Sequence, residues 1–426
     1  MTKLVDSYIE SMMILQKIPG LALAVLQNGR PQILKGYGYA NLEHKVPVST
    51  NTLFQTGSLG SQFTATIALM LVEQKILDID AKVGEYLSVP GEWSTITVRQ
   101  LLSHTSGLRD YAFEIDYRKD YDEDELLQLL FEMPLEFSPG EDWSYSSTGY
   151  ALFGIIVKRL TGQHWSRFLQ KRIFTRLGMK TACAIDSSRI IPNRAAGYVY
   201  VQEEILNSDW VAPSILTTAE GSSNVSIIDI ASWEQGLRGR KLLSADSKKT
   251  MYTAATLNNG DSVGYGLGWH IGKINGQRVY EHGGTTQGFQ TYITRYEDGK
   301  LTVAILTNQL DARPEVICHS VAALVSETLR IVKPDPKPSL LPYAALEGEY
   351  RMSRGFPVQI TARDEGIRVT YGGRITYQLY CADRGIFIDD SGEHRLEFLL
   401  DRNSNVSGFK RWETAAGGAR SIAKRI

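Results

Sequence analysis

Thr56-Gly57-Ser58-Leu59-Gly60-Ser61-Gln62-Phe63-Thr64-Ala65 sets a serine where a helix is due to begin. From Ser61 or Gln62 through Glu73, the apolar residues Ile67, Leu69, Met70 and Leu71 predict a helix with a buried face. Unpaired N–H groups and the positive end of the dipole at such a start favour a developing alkoxide or carboxylate. Ser58 is therefore the candidate nucleophile of an acyl-transfer site. Helix capping is the other common use of serine at this position.

Two distant segments extend the pattern: Tyr145-Ser146-Ser147, within Trp143 to Ala151, and His282-Gly283-Gly284-Thr285. With Ser58, they resemble the signature of the serine β-lactamase and penicillin-binding-protein superfamily, in particular its class C-like esterase and D-aminopeptidase branch. Leu101 to Leu108, Gly221 to Trp233 and Tyr265 to Trp269 add to the likeness, which covers about residues 5 to 330. The resemblance implies Ser58, Tyr145 and His282 as catalytic residues. It implies the backbone N–H groups of Ser58 and Thr285 as oxyanion donors, and Gly283 and Gly284 as a strand that substrate approaches closely. His104, in Leu102-Ser103-His104-Thr105, reads as a structural residue of a turn.

The chain departs from the family at two polar positions. The nucleophile motif of the family is Ser-x-x-Lys and the second motif is Tyr-x-Asn, whereas this chain has Ser61 and Ser147 in the places of the lysine and the asparagine. Ser61 and Ser147 are thus supporting candidates only. A hydroxyl carries no charge near neutral pH and is a negligible base, so Ser61 can relay or orient a proton but not accept one as the lysine does. Tyr145 is the general base that the family likeness implies. A phenol with a pKa of about 10 needs nearby positive charge for that role, and His282 is the remaining candidate for a hydrogen-bonded or cationic partner.

Composition excludes other classes. The chain has 426 residues, 43% of them hydrophobic, and a formal net charge of -1 with no run of Lys or Arg, so neither nucleic acid nor an anionic membrane is an expected partner. No segment approaches the roughly 18 to 20 apolar residues of a membrane helix, and no signal-peptide pattern opens the chain, so a cytoplasmic location is expected. Cys183, Cys318 and Cys381 are too few and too scattered for a disulfide framework. Seven histidines show no metal-ligand spacing and no phosphate-binding glycine loop is present, so no metal or cofactor is expected.

The predicted fold is α+β, a β-lactamase-like antiparallel sheet flanked by helices, with a helical region and a small C-terminal all-β domain. An amphipathic helix runs from Thr2 to about Lys17. Leu21 to Gln27 and Gln32 to Tyr39 form a hairpin around Asn28-Gly29-Arg30. Gly266 to Ile271, Arg278 to His282, Phe289 to Tyr296 and Leu301 to Asn308 form a meander, closed by a helix from about Pro314 to Ile331. The expected division is a hydrolase domain over 1–332, a Pro-rich linker over 333–340, and a barrel-like module over 341–426.

The expected activity is that of a serine hydrolase or acyl transferase on a small-molecule ester or amide. Esters are favoured, because their leaving groups need less protonation than amines. The two serine replacements also admit a ligand-binding protein without turnover, or a biosynthetic cyclase or transferase using the same cleft. Substrate identity and oligomeric state are not written in the sequence.

Overall fold

The computed structural model describes residues 1–426 except 187, 210, 213–217, 222, 331–336, 340, 353–356, 373–374, 384, 390–393 and 413–419. Most of the expected linker lies outside the described residues.

The framework is a seven-stranded antiparallel sheet. Its spatial order is Val46–Pro47, Arg30–Asn41, Gly20–Gln27, Leu301–Thr307, Phe289–Tyr296, Gln277–Thr286 and His270–Ile274. The first hairpin turns at Asn28 and Gly29, with φ of 53° and 73°, the backbone that Asn-Gly accepts most readily. Gly20–Gln27 and Leu301–Thr307 sit in mid-sheet and are buried on both faces, which explains their continuous apolar composition.

Helices cover the two faces. Thr2–Leu15 and Pro314–Val325 pack on one, where Val5, Ile9, Ile317 and Val321 meet Leu21, Leu23, Val303 and Ile305. The other carries Ile227–Arg238 and the larger core around Ser61–Glu73 and Ser147–Thr161. Ser61–Glu73 is buried from Ser61 to Leu71, as befits a helix apolar on nearly every side. Its Phe63 packs edge-on against Phe174 and Trp233, with ring centroids 5.3 and 4.7 Å apart.

Two boundaries differ from the sequence expectation. The strand expected over 266–271 begins at His270, because Gly268 takes a φ of 72° and Gly266 N–H bonds to Trp269 O in a tight turn. The closing helix stops at Val325, followed by a single 3₁₀ turn over Glu327–Leu329. Beyond it, eight strands from Gly348–Met352 to Arg420–Arg425 close into a barrel filled by Tyr350, Ile360, Val369, Phe387 and Phe409. Closure leaves that module no unpaired sheet edge. No helix among the described residues is long and apolar enough to cross a membrane.

Candidate active site

Ser58 lies in a 3₁₀ turn, Gly57–Gly60, that runs directly into the Ser61–Glu73 helix. Gly57 has a left-handed φ of 52°, and a Cβ there would come within 2.6 Å of Thr285 N. Glycine is therefore required for the turn to lie against the strand Gln277–Thr286. Gly284 is needed from the opposite side, since its Cβ would fall 2.0 Å from Thr56 O. Thr291 Oγ1 donates to that same oxygen at 2.7 Å. The turn bearing Ser58 and the strand of Gly283, Gly284 and Thr285 are thus in direct contact, which brings Ser58 and Thr285 to one place.

A second set of bonds holds the turn from the other side. Thr56 Oγ1 donates to Gly221 O at 2.5 Å, Ser61 Oγ to Glu220 O at 2.8 Å and Thr64 Oγ1 to Ala219 O at 2.5 Å. Ser61 is completely buried.

Strand alternation sorts two adjacent side chains to opposite faces. Glu281 points to the helical face, where its carboxylate lies 3.2 Å from His319 Nε2, and His282 points into the cleft. His282 Nδ1 lies 2.6 Å from Gly283 O and its Nε2 lies 2.9 Å from the Tyr265 hydroxyl. A carbonyl can only accept, so Nδ1 carries the proton and Nε2 receives one from Tyr265. Tyr265 in turn lies 3.2 Å from His104 Nε2, while His104 Nδ1 accepts the Ser146 N–H at 3.1 Å. The result is a directed chain from the Ser146 amide through His104 and Tyr265 to His282.

Burial lowers the His282 pKa to about 4, so the ring is neutral at pH 7. The expectation that His282 supplies positive charge to Tyr145 is corrected accordingly. A cation so enclosed loses more in solvation than its surroundings return. Tyr145 does lie beside this chain, its ring centroid 4.0 Å from that of His104 and 6.1 Å from that of His282. His104 takes a left-handed backbone, with φ of 59°, at the end of the helix Val98–Ser103. It fixes the Tyr145 turn through the Ser146 amide. Ser147 opens the following helix, and its N–H donates to Asp110 Oδ1 at 3.2 Å.

Ser58 and Thr285 border two cavities. One, of about 320 Å³, is lined by Tyr145, His282, Gly283 and Gly284 and is closed on its far side by Tyr377, His394 and Arg411 of the barrel. The Arg313 guanidinium sits 4.8 Å above the Tyr377 ring and 3.3 Å from Asp389, joining the two modules there. The other cavity, of about 560 Å³, is lined by Ser147, Tyr111, Ile185, Val211 and Glu220. A larger surface hollow around Arg295 and Lys248 contains none of the site residues.

Glu220 and Tyr111 belong to none of the motifs read from the sequence. Tyr111 donates to Glu220 Oε1, and Thr218 Oγ1 donates to the same oxygen at 2.5 Å. Burial pushes the Glu220 carboxyl up to about 7, although these two hydroxyl bonds work against the rise. The available signal was a lone acidic residue inside the otherwise uncharged run Leu216 to Ser226.

The Beta-lactamase family profile matches residues 5–326. The chain belongs to that family. At the level of individual relatives, it is 27% identical over 402 residues to Penicillin-binding protein 4* of Bacillus subtilis, covering 87% of this chain and 88% of that one. It is 27% identical over 364 residues to the D-aminopeptidase of Gluconobacter oxydans, covering 83% of this chain and 67% of that one. Among solved structures, the octameric penicillin-binding protein homologue from Pyrococcus abyssi superposes with a TM-score of 0.72 at 22% identity, over 99% of this chain and 100% of the other. That likeness extends through the barrel and concerns the fold.

Proposed function

We propose that this chain is a serine hydrolase or acyl transferase that carries an acyl group on Ser58 and acts on small esters in preference to amides. The observation that carries this reading is the meeting of Ser58, the Thr285 backbone and two clefts at one point. The family membership and the name of the D-aminopeptidase relative support the hydrolase part of this reading, and the preference for esters rests on the missing lysine alone.

In the reaction, Ser58 Oγ forms a bond to the acyl carbon as its proton passes to the Tyr145 oxygen while the Tyr145 hydroxyl proton moves on towards the leaving oxygen, so that the phenol relays a proton and no standing phenolate is needed. The Ser58 and Thr285 N–H groups face the developing oxyanion. The bond to the leaving oxygen then breaks and that oxygen takes the proton. Water, or another hydroxyl or amine, attacks the acyl-enzyme by the reverse sequence and restores Ser58. His282 is neutral and directed by Tyr265, so its part is to orient and accept rather than to lend charge. A site with no lysine at position 61 is better matched to ester leaving groups, which need less protonation.

A ligand-binding protein without turnover is the second reading. It is favoured by Ser61, whose hydroxyl is committed to the Glu220 carbonyl where the family has an ammonium. A cyclase or transferase would use the same acyl-enzyme with a different acceptor.

The deciding experiment treats wild type and Ser58→Ala with a serine-phosphonylating probe between pH 6 and 10 and reads intact mass. Single labelling that disappears in Ser58→Ala is the expected result. Its pH midpoint would report the group that activates the serine. Absence of labelling, together with no turnover across an ester panel, would replace this reading with the binding protein.

A further inference from the structure

The surface hollow of about 680 Å³ away from the cleft gathers cations from separate parts of the chain. Arg238 ends the helix Ile227–Arg238, and Lys248 and Lys249 stand in the last turn of the helix Ala245–Met251. Arg278 and Arg295 lie on the strands Gln277–Thr286 and Phe289–Tyr296, and Lys300 leads into Leu301–Thr307. Register sets Tyr280 directly across from Arg295, so Arg278, Tyr280 and Arg295 share one face of the sheet. Tyr252 and Tyr280 complete the wall, their rings stacked with centroids 4.2 Å apart.

Charge in the hollow does not balance. Glu234 sits between Arg238 and Arg295 at 2.5 and 2.7 Å, Glu297 lies 3.9 and 3.8 Å from the same two, and Asp298 lies 2.7 Å from Arg278. Among the described residues, Lys248, Lys249 and Lys300 join no ion pair, and Lys248 Nζ donates to Gly239 O. The two helix C-termini carry roughly half a negative charge each, so about two positive charges remain in excess. The chain as a whole has a formal net charge of -1, so this excess is local. It has a cost within the protein: burial first, and then the neighbouring Arg295, hold the Lys248 ammonium below its ordinary range. An anion in the hollow reverses that repulsion. Arg295 is 2% exposed and acts from behind the wall, whereas Lys249, Arg278 and Lys300 are exposed and Lys248 is half-buried.

We propose that this hollow binds a small soluble anion bearing two or three linked phosphate groups. The inference stands apart from the acyl-enzyme reading, since neither Ser58, Tyr145, His282 nor Thr285 lines the hollow. Tetrahedral phosphates present oxygens in several directions at once, which suits ammonium and guanidinium groups that converge from different segments; a planar carboxylate does not. A concave site favours a compact ligand over a flat membrane surface.

The test is calorimetric titration of the whole protein with inorganic tripolyphosphate at pH 7.5 and about 0.15 M salt. One saturable site is expected, with a Kd of about 100 µM or tighter and at least about tenfold tighter than for orthophosphate. Lys249→Gln with Lys300→Gln removes two exposed ammonium groups and is expected to weaken binding at least about tenfold. Lys3→Gln with Lys180→Gln, exposed lysines elsewhere, is expected to change it less than about twofold. Equal weakening by the two pairs would reduce the effect to net charge and overturn the proposal, as would absence of saturation at about 1 mM. Citrate binding as tightly as tripolyphosphate would overturn the phosphate assignment. Cosedimentation with vesicles of phosphatidylcholine and phosphatidylglycerol separates a lipid headgroup from a soluble phosphate: capture by vesicles without a site for tripolyphosphate overturns the proposal. The same titration on Ser58→Ala is expected to be unchanged, so the result is read independently of whether Ser58 carries an acyl group.

Discussion

Ser61 Oγ donates to the main-chain oxygen of Glu220 at 2.8 Å, tying the first turn of the nucleophile helix to the segment that floors the larger cavity. The hydroxyl is in this way a structural tie in a place where the family uses an ammonium. If proton acceptance is what the replacement removed, Ser61→Lys with Ser147→Asn should raise ester kcat/KM at least about tenfold, since the Glu220 carbonyl remains to hold the new ammonium. A double variant that folds with an unchanged rate would show that the proton chemistry has moved to other groups.

Tyr265 is the hinge of the directed chain between His104 and His282. Tyr265→Phe deletes its hydrogen bonds to His104 and His282 and leaves buried imidazole nitrogens to be satisfied in another way. Loss of about 1–3 kcal/mol of stability is expected in urea denaturation, together with a fall in ester turnover as the His282 ring loses its fixed orientation. A stability change below about 0.5 kcal/mol would show that the chain contributes little to holding the site together.

Glu220 gives a pH signature with a definite sign. Its folded pKa, about 7, lies above the ordinary 4.5, so the folded state binds the proton more tightly. That contribution is complete below about pH 4.5 and is lost as pH rises through 7. His282, lowered to about 4, acts in the opposite sense, gaining stability as pH rises towards 6.5. The comparison with Glu220→Gln isolates the carboxyl. Between pH 5 and 8, wild type should lose on the order of 1–3 kcal/mol relative to the variant, read from urea midpoints at half-unit steps. Parallel profiles would mean that the carboxyl is solvated.

Arg295 and Glu234 make a buried pair at 2.7 Å, with Arg238 reaching the other Glu234 oxygen. The pair joins the strand Phe289–Tyr296 to the helix Ile227–Arg238. Arg295→Met leaves the enclosed Glu234 side chain with one partner fewer, and should cost about 3–5 kcal/mol. Adding Glu234→Gln should recover part of that loss. A double variant less stable than the single one would contradict an origin in the stranded charge.

The fold was largely legible because its signals are local. Asn28-Gly29 announces the first hairpin, and the apolar run of the Ser61–Glu73 helix announces its burial. The strand start at His270 was missed, since Gly266 and Gly268 serve a turn that only the neighbouring strand makes necessary. In the site, Ser58, Tyr145 and His282 stood out through motif likeness, and the cleft places them near one another. The neutrality of His282 was hidden because it depends on enclosure by residues far away in the chain. Glu220 was hidden for the same reason: its partner Tyr111 is 109 positions distant. Pairings of this kind follow from topology and leave no periodicity to read.

The interlock of Gly57 against Thr285 and of Gly284 against Thr56 leaves no room for a methyl group on either side. The reacting centre therefore has almost no freedom to widen. Tyr377 and Arg411 face it from two different strands of the barrel, and His394 from the residue just before a third. Changes there can alter what fits without disturbing the seam at Ser58. The tight seam and the wall that faces it belong to different modules, so either can be altered by substitution without touching the other's backbone.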